Sequence, residues 1–176
     1  QASDFGAIDS TKVYVIDGVI DMTGVSIEVP VGGINIIGYT FDVSKLTCAD
    51  VSYTMFTSPV GGSGNVLFSN IGLEITGASS KVFDLVDASG FNACEFNIVN
   101  FNNCTSLGVL DNYRQGLENG TGRFGGTPQL ELKGAWAGGY FIDSSIVRSL
   151  IDGAYCLYSA GVGFVMQSRF RTNANI

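Results

Sequence analysis

The chain has 176 residues, 45% apolar and 14% charged, with 24 Gly, 3 Pro, no His and a net charge of −7. That length suits one domain with a buried core, and the low charge with high apolar content excludes a largely disordered chain. The acidic balance repels phosphate and opposes nucleic-acid binding, while the missing His excludes Ser-His and Cys-His catalysis and His-ligated zinc.

Gln1 is not an initiator Met, and no apolar run approaches the ~18–20 residues of a membrane span, so a soluble piece of a longer protein is expected, without membrane insertion. The first forty positions are rich in β-branched and aromatic residues: Val13-Tyr-Val-Ile16, Val25, Ile27, Val29, Ile34, Ile36 and Ile37. Ile71-Gly-Leu-Glu-Ile-Thr76 then alternates apolar with small or polar residues, and Ala93-Cys-Glu-Phe-Asn-Ile98 repeats the pattern, the period of a strand with one buried face. The best helical face, Leu107, Leu110, Arg114 and Leu117, is interrupted by Gly108 and Gly116, each costing roughly 1 kcal/mol relative to Ala. A polar, Gly-rich stretch follows, predicting a loop excursion over 111–129. Leu130-Glu-Leu-Lys133 and the alternation from Ala154 to Met166 resume the strand pattern. The chain reads as all-β. Gly61-Gly-Ser-Gly64 lacks the Gly-Lys-Ser/Thr ending of a phosphate loop. Cys48, Cys94, Cys104 and Cys156 are too far apart for a metal knuckle and are expected as buried free thiols, although Cys94 and Cys104 can bridge if they lie on neighbouring strands. No metal or other cofactor is expected.

Internal matches share one offset. Phe68-Ser-Asn-Ile-Gly-Leu-Glu-Ile laid over Phe91-Asn-Ala-Cys-Glu-Phe-Asn-Ile pairs Phe with Phe, Ile71 with Cys94, Leu73 with Phe96 and Ile75 with Ile98 at 23 residues. Leu85-Val-Asp87 matches Val109-Leu-Asp111 at 24, and Phe141 to Arg148 matches Phe164 to Arg171 at 23. A period near 23 with several short strands per repeat predicts a single-domain parallel β-helix of about seven coils, in which each strand pairs with its equivalent about 4.8 Å above and like side chains stack. A β-sandwich or jelly roll is the alternative. The open ends of such a stack need covering, which predicts flanking domains or an oligomer, with a homotrimer as the expected form.

Ala2-Ser-Asp-Phe-Gly-Ala7 resembles the entry segment of the pectate-lyase-like right-handed β-helix of phage tailspikes and related polysaccharide-acting proteins. In that family an Asp-Phe-Gly-Ala stretch leads into the first coil. Here Ile8-Asp-Ser-Thr11 runs directly into Val13-Tyr-Val-Ile16, without the Gly-Asp-Gly and Thr-Asp pair that usually follow. The resemblance implies a virion appendage such as a tail fibre, spike or head fibre, whose partners are other copies of itself, other virion proteins and host-surface polysaccharide.

Enzymes of that fold place paired carboxylates on an outer face, about 5–9.5 Å apart in glycosidases. Asp87 and Asp111 occupy matched positions, and Asp111 with Glu118 is the other candidate pair; both Asp87-Ala-Ser-Gly90 and Asp111-Asn112 also suit turns. The expectation is a structural or receptor-binding module without catalysis of its own. A polysaccharide hydrolase or lyase domain, or a secreted bacterial adhesin, is the alternative. Within the Gly-rich stretch and just beyond it, Tyr113, Arg114, Arg123 and Trp136 are the candidates for glycan contact or for a subunit interface, through ring stacking and charge-assisted hydrogen bonds.

Overall fold

Short runs of β-branched and aromatic residues, punctuated every few positions by Gly, Ser or Asn, fold as short strands joined by tight corners. The computed structural model describes residues 2–119, 123–126, 130–134, 136, 138–142 and 157–159. A 3₁₀ turn at Ala2–Phe5 leads into β1 (Val13–Ile16), β2 (Val19–Asp21) and β3 (Ile27–Glu28). The next triplet is β4 (Ile34–Gly38), β5 (Lys45–Cys48) and β6 (Thr54–Thr57), followed by β7 (Val66–Ser69), β8 (Gly72–Ile75) and β9 (Lys81–Val86). Then come β10 (Ala93–Asn97), β11 (Asn100–Cys104) and β12 (Gly108–Asp111), and β13 (Gln115–Asn119), β14 (Arg123–Gly126) and β15 (Leu130–Lys133). β16 (Gly138–Ile142) and β17 (Leu157–Ser159) complete the described strands.

From β4 through β16 each strand pairs with the one three before it, and β17 pairs with β15, always in parallel. The first sheet runs β1-β4-β7-β10-β13-β16, the second β2-β5-β8-β11-β14, and the third β3-β6-β9-β12-β15-β17. The chain thus visits three sheets in rotation and lays each tier of three strands on the tier before it, an arrangement compatible with a parallel β-helix. Two facing antiparallel sheets, the sandwich alternative, would pair sequential strands across hairpins, and no described pair does so.

The tier spacing is not uniform. Val13 pairs with Asn35, 22 residues on, whereas Ile34 pairs with Val66, 32 residues on. The fixed offset of 23 therefore mislays several registers. Phe68 sits beside Phe96, and Phe91 lies outside the strands with 75% of its surface exposed. Cys94 pairs with Val66 rather than Ile71, and Leu85 with Leu110 rather than Val109. Phe164 falls outside the described residues. Strand alternation survived these errors because corners, not strands, absorb the differences in length.

The interior is a column of apolar side chains contributed by all three sheets. Phe56 and Phe83 (third sheet) stack at 5.7 Å between ring centroids, and Phe68 and Phe96 (first sheet) lie 5.7 Å apart. Phe83 and Phe96 close the gap between those sheets at 5.5 Å, and Phe101 (second sheet) meets Phe96 edge-on at 5.7 Å. Each such pair adds about 0.5–1.5 kcal/mol beyond burial of the rings. At the N-terminal end Phe5, from the 3₁₀ turn, is buried and stacks on Tyr14 at 5.9 Å, covering the first tier.

Two corrections concern the middle of the chain. Within 111–129, expected as a loop excursion, the described residues include β13 and β14, which pair with β10 and β11 in the tier pattern. Leu107 and Leu110, read as one helical face, belong to the approach and body of β12, where both are buried. Cys48, Cys94 and Cys104 are buried free thiols, so the Cys94–Cys104 bridge is not made; Cys156 lies outside the described residues.

Corners adopt left-handed backbone where the chain turns between sheets. Asn70 (φ 56°) tolerates this, but Ile98, one tier on, is held at φ 56° despite its branched Cβ. The corners leading back to the first sheet include two identical turns, Pro30-Val-Gly-Gly33 and Pro59-Val-Gly-Gly62, in which the Pro carbonyl accepts the N–H of the second Gly at 2.8 and 2.9 Å. Gly62 (φ 83°) is required on two counts, because a Cβ there would also lie 2.6 Å from the Ala88 nitrogen in the next corner.

Candidate functional site

Asp87 and Asp111 do not form a carboxylate pair, and the Asp111–Glu118 pair lies partly outside the described residues. Asp87 terminates β9 and is 1% exposed. Its Oδ1 accepts the Ser89 N–H at 2.8 Å, the Ser89 hydroxyl at 2.7 Å and the Asn92 amide at 2.9 Å, and its Oδ2 accepts the Asn92 N–H at 2.8 Å. Burial raises its pKa, but the hydrogen bonds from Ser89 and Asn92 outweigh burial and hold the carboxyl below its ordinary range. Such a carboxylate closes a turn and holds no proton to donate. Asp111 pairs with Val86, one register away from the expected Asp87, and it meets Asp87 only through a backbone bond, Asp87 N–H to Asp111 O at 2.9 Å. Glu118 lies in β13, paired with Phe96 and Phe141, and its side chain falls outside the described residues.

The aromatic candidates turn inward. Tyr113 is fully buried and Trp136 nearly so, with ring centroids 6.2 Å apart. The Tyr113 hydroxyl shares a 2.5 Å hydrogen bond with Ser63, two tiers earlier, and the Trp136 Nε1–H donates to the Lys133 carbonyl at 2.5 Å. Neither ring offers a face to a sugar. A glycine in the wall admits the indole, since a Cβ on Gly116 would meet its Cζ3 at 3.1 Å. Arg114 is exposed at the start of the fifth tier, and Arg123 lies in β14 with its side chain outside the described residues.

Sequence reasoning missed the outer faces. On the first sheet, Asn35, Leu67 and Glu95 stand in register across β4, β7 and β10, and Ile37, Ser69 and Asn97 form the parallel column. Together they line an open groove of about 300 Å³. Amide, hydroxyl and carboxylate groups flank an apolar floor there, the mixture that takes up a polyhydroxylated ligand. Their signal in the sequence is positional: each is the polar or outward partner of an inward residue such as Ile36, Phe68 or Phe96.

On the second sheet Asp21, Thr47 and Glu74 form a column that lines a groove of about 250 Å³ with Thr23 and Thr76. Glu74 is bound by Lys45 at 2.8 Å. The Asp21 carboxyl is held below its usual range by the Thr23 hydroxyl and N–H, at 2.7 and 3.0 Å. Both carboxylates are engaged as anions. Among the described residues, no cluster of His, Cys, Asp or Glu is placed to hold a metal ion, and no helix is long and apolar enough to cross a membrane.

Comparison of the chain with protein-family models, curated proteins and solved structures gives no match in any of the three.

Proposed function

We propose that the chain is a right-handed parallel β-helical module of a virion appendage, of about seven coils, that assembles as a homotrimer and binds host-surface polysaccharide without cleaving it. The observation that carries this reading is the rotation of the chain through three parallel sheets, with inward rings such as Phe56 and Phe83, and Phe68 and Phe96, in register; a stiff rod with ladders of side chains on its outer faces is the form this arrangement supports. Parallel connections that return to one sheet are right-handed in nearly all proteins, which supports the hand. The Asp4-Phe5-Gly6-Ala7 entry supports the viral assignment, and its Phe5 serves as the plug over the first tier.

Binding is favoured over turnover because Asp87 is occupied as a turn anchor, as is Asp21, and Glu74 as the partner of Lys45. The first-sheet groove is the proposed glycan seat, with Asn35, Glu95 and Asn97 as its polar contacts. Immobilised capsular polysaccharide and lipopolysaccharide from candidate hosts are the probes, with biolayer interferometry as the readout. Asn35→Ala/Asn97→Ala is expected to weaken binding about tenfold, the loss of one or two hydrogen bonds at about 1 kcal/mol each. New reducing ends or unsaturated products, abolished by Asp111→Ala or Glu118→Ala, would replace this reading with the depolymerase. A secretion signal in the parent gene, with no virion genes beside it, would replace it with the adhesin.

A further inference from the structure

The corner that carries the chain from the third sheet back to the first presents an exposed apolar residue in three successive tiers. Its first two instances are the identical turns Pro30–Gly33 and Pro59–Gly62, each with Val at the tip. Turn tips favour residues that bond their own backbone or meet water well, such as Asp, Asn and Ser. Here Val31 is 64% exposed and Val60 is exposed completely, and in the third instance Phe91 stands 75% exposed just after the Asp87–Gly90 turn. The three corners lie directly on one another: Val31 Cγ2 lies 3.6 Å from where a Gly61 Cβ would be, and Gly62 abuts Ala88. Val31, Val60 and Phe91 therefore form an apolar ridge parallel to the stack. Val13 and Val15 on β1, at least half exposed, extend it onto the outer face of the first sheet.

Charge is missing from the first three of these corners. Residues 29–41, 51–73 and 88–94 contain no Asp, Glu, Lys or Arg, and Asp87, which opens the third corner, is buried within its own turn; Glu95 on β10 and the exposed Arg114 at the fourth corner flank the ridge. The sheet faces, by contrast, carry charge, with Glu95 on the first, Asp21, Lys45 and Glu74 on the second and Glu28, Asp84 and Glu131 on the third. A chain of net charge −7 repels its own copies. Interface cores are depleted of charge and enriched in aromatic residues, so this corner is where two copies approach at least electrostatic cost.

We infer that the Val31–Val60–Phe91 ridge is the surface through which copies of this chain associate, about a rotation axis parallel to the stack. A ridge running along the stack meets itself at equal height only under such an axis, which sets Val60 against Val60 and Phe91 against Phe91. An exposed Phe can bury about 150–250 Å², and with the valines and the intervening Gly, Pro and Ser the zone supplies the apolar centre of a patch of the standard size, about 800 Å² per partner. The inference rests on the trimeric reading above and names its face.

Size-exclusion chromatography with light scattering on the full chain tests it. The wild type is expected as an oligomer, Val60→Asp/Phe91→Asp as a monomer with unchanged far-ultraviolet circular dichroism, and Val51→Asp, at an equally exposed valine on another corner (70%), as an oligomer. Under oxidation, Val31→Cys and Phe91→Cys are each expected to give a linked pair on a non-reducing gel, while the wild type gives none. Linkage only when the two variants are mixed would reveal an antiparallel pairing and overturn the inference. An oligomer indifferent to Val60→Asp/Phe91→Asp would overturn the ridge and leave the trimer standing. A dimer dissolved by that double variant would keep the ridge and overturn the trimer. A monomeric wild type would overturn both, and loss of its polysaccharide binding in the double variant would assign the ridge to the glycan instead.

Discussion

Comparing Phe96→Ala with Phe91→Ala separates the observed register, which sets Phe96 beside Phe68 and leaves Phe91 exposed, from a uniform 23-residue period, which stacks Phe91 on Phe68. Phe96 is buried and touches three rings, Phe68 at 5.7 Å, Phe83 at 5.5 Å and Phe101 at 5.7 Å. Removing the ring forfeits about 2–3 kcal/mol of transfer free energy. The ring–ring contacts and the cavity left between three sheets bring the expected loss to about 3–5 kcal/mol, a large share of the roughly 5–15 kcal/mol that holds a domain folded. Phe91→Ala, at an exposed ring, is expected to cost under about 0.5 kcal/mol in the isolated chain. Both are measured by urea denaturation at fixed protein concentration, in a Val60→Asp background so that association does not enter the balance. A larger loss for Phe91→Ala than for Phe96→Ala would refute the register and the stacking argument built on it.

Three further outcomes follow from local geometry. Gly62→Ala is expected to lower the thermal midpoint far more than Gly24→Ala, because both glycines have positive φ (83° and 71°) but only Gly62 faces backbone, 2.6 Å away, while Gly24 faces open space. The hydrogen bonds that depress the Asp87 pKa contribute stability that is fully present above the ordinary carboxylate pKa of about 3.9 and is lost as pH falls through the lower folded value. Asp87→Asn should therefore flatten the acid limb of the stability curve, read by circular dichroism from pH 6 to about pH 2. Burial raises the pKa of the Cys48 and Cys94 thiols and pushes Cys104 up to about 12, so peptide mapping after a maleimide pulse should find all three unlabelled until the chain unfolds.

Strand alternation was the legible part of the fold. Ile71, Leu73 and Ile75 are all buried, as their spacing requires, and so are Cys94 and Phe96. Ile98, next in that series, is only half-buried, because the backbone has already turned into the left-handed corner there. Pairing was less legible, since corners of unequal length put partners 22 to 32 residues apart and no single period captures them. The repeated Pro-Val-Gly-Gly turns, 29 residues apart, mark one true tier spacing and need no aromatic anchor. Site residues were the least legible. Tyr113 and Trp136 sit in polar, Gly-rich sequence that reads as surface, yet both are interior, because the glycine at position 116 admits the indole and Ser63 satisfies the phenol. The groove residues Asn35, Ser69 and Asn97 carry no motif and become neighbours only once strands from three tiers are laid side by side.

The unequal tier spacing bears on how such a chain can change. Strand pairing is settled by the few residues within each ladder, and lengthening a flexible connection costs only about 0.6 kcal/mol per doubling. The segment between β6 and β7 is already longer than the one between β3 and β4, yet the strands on either side keep their partners. Insertions can therefore accumulate at the rim, altering what the rod displays, without re-threading its interior.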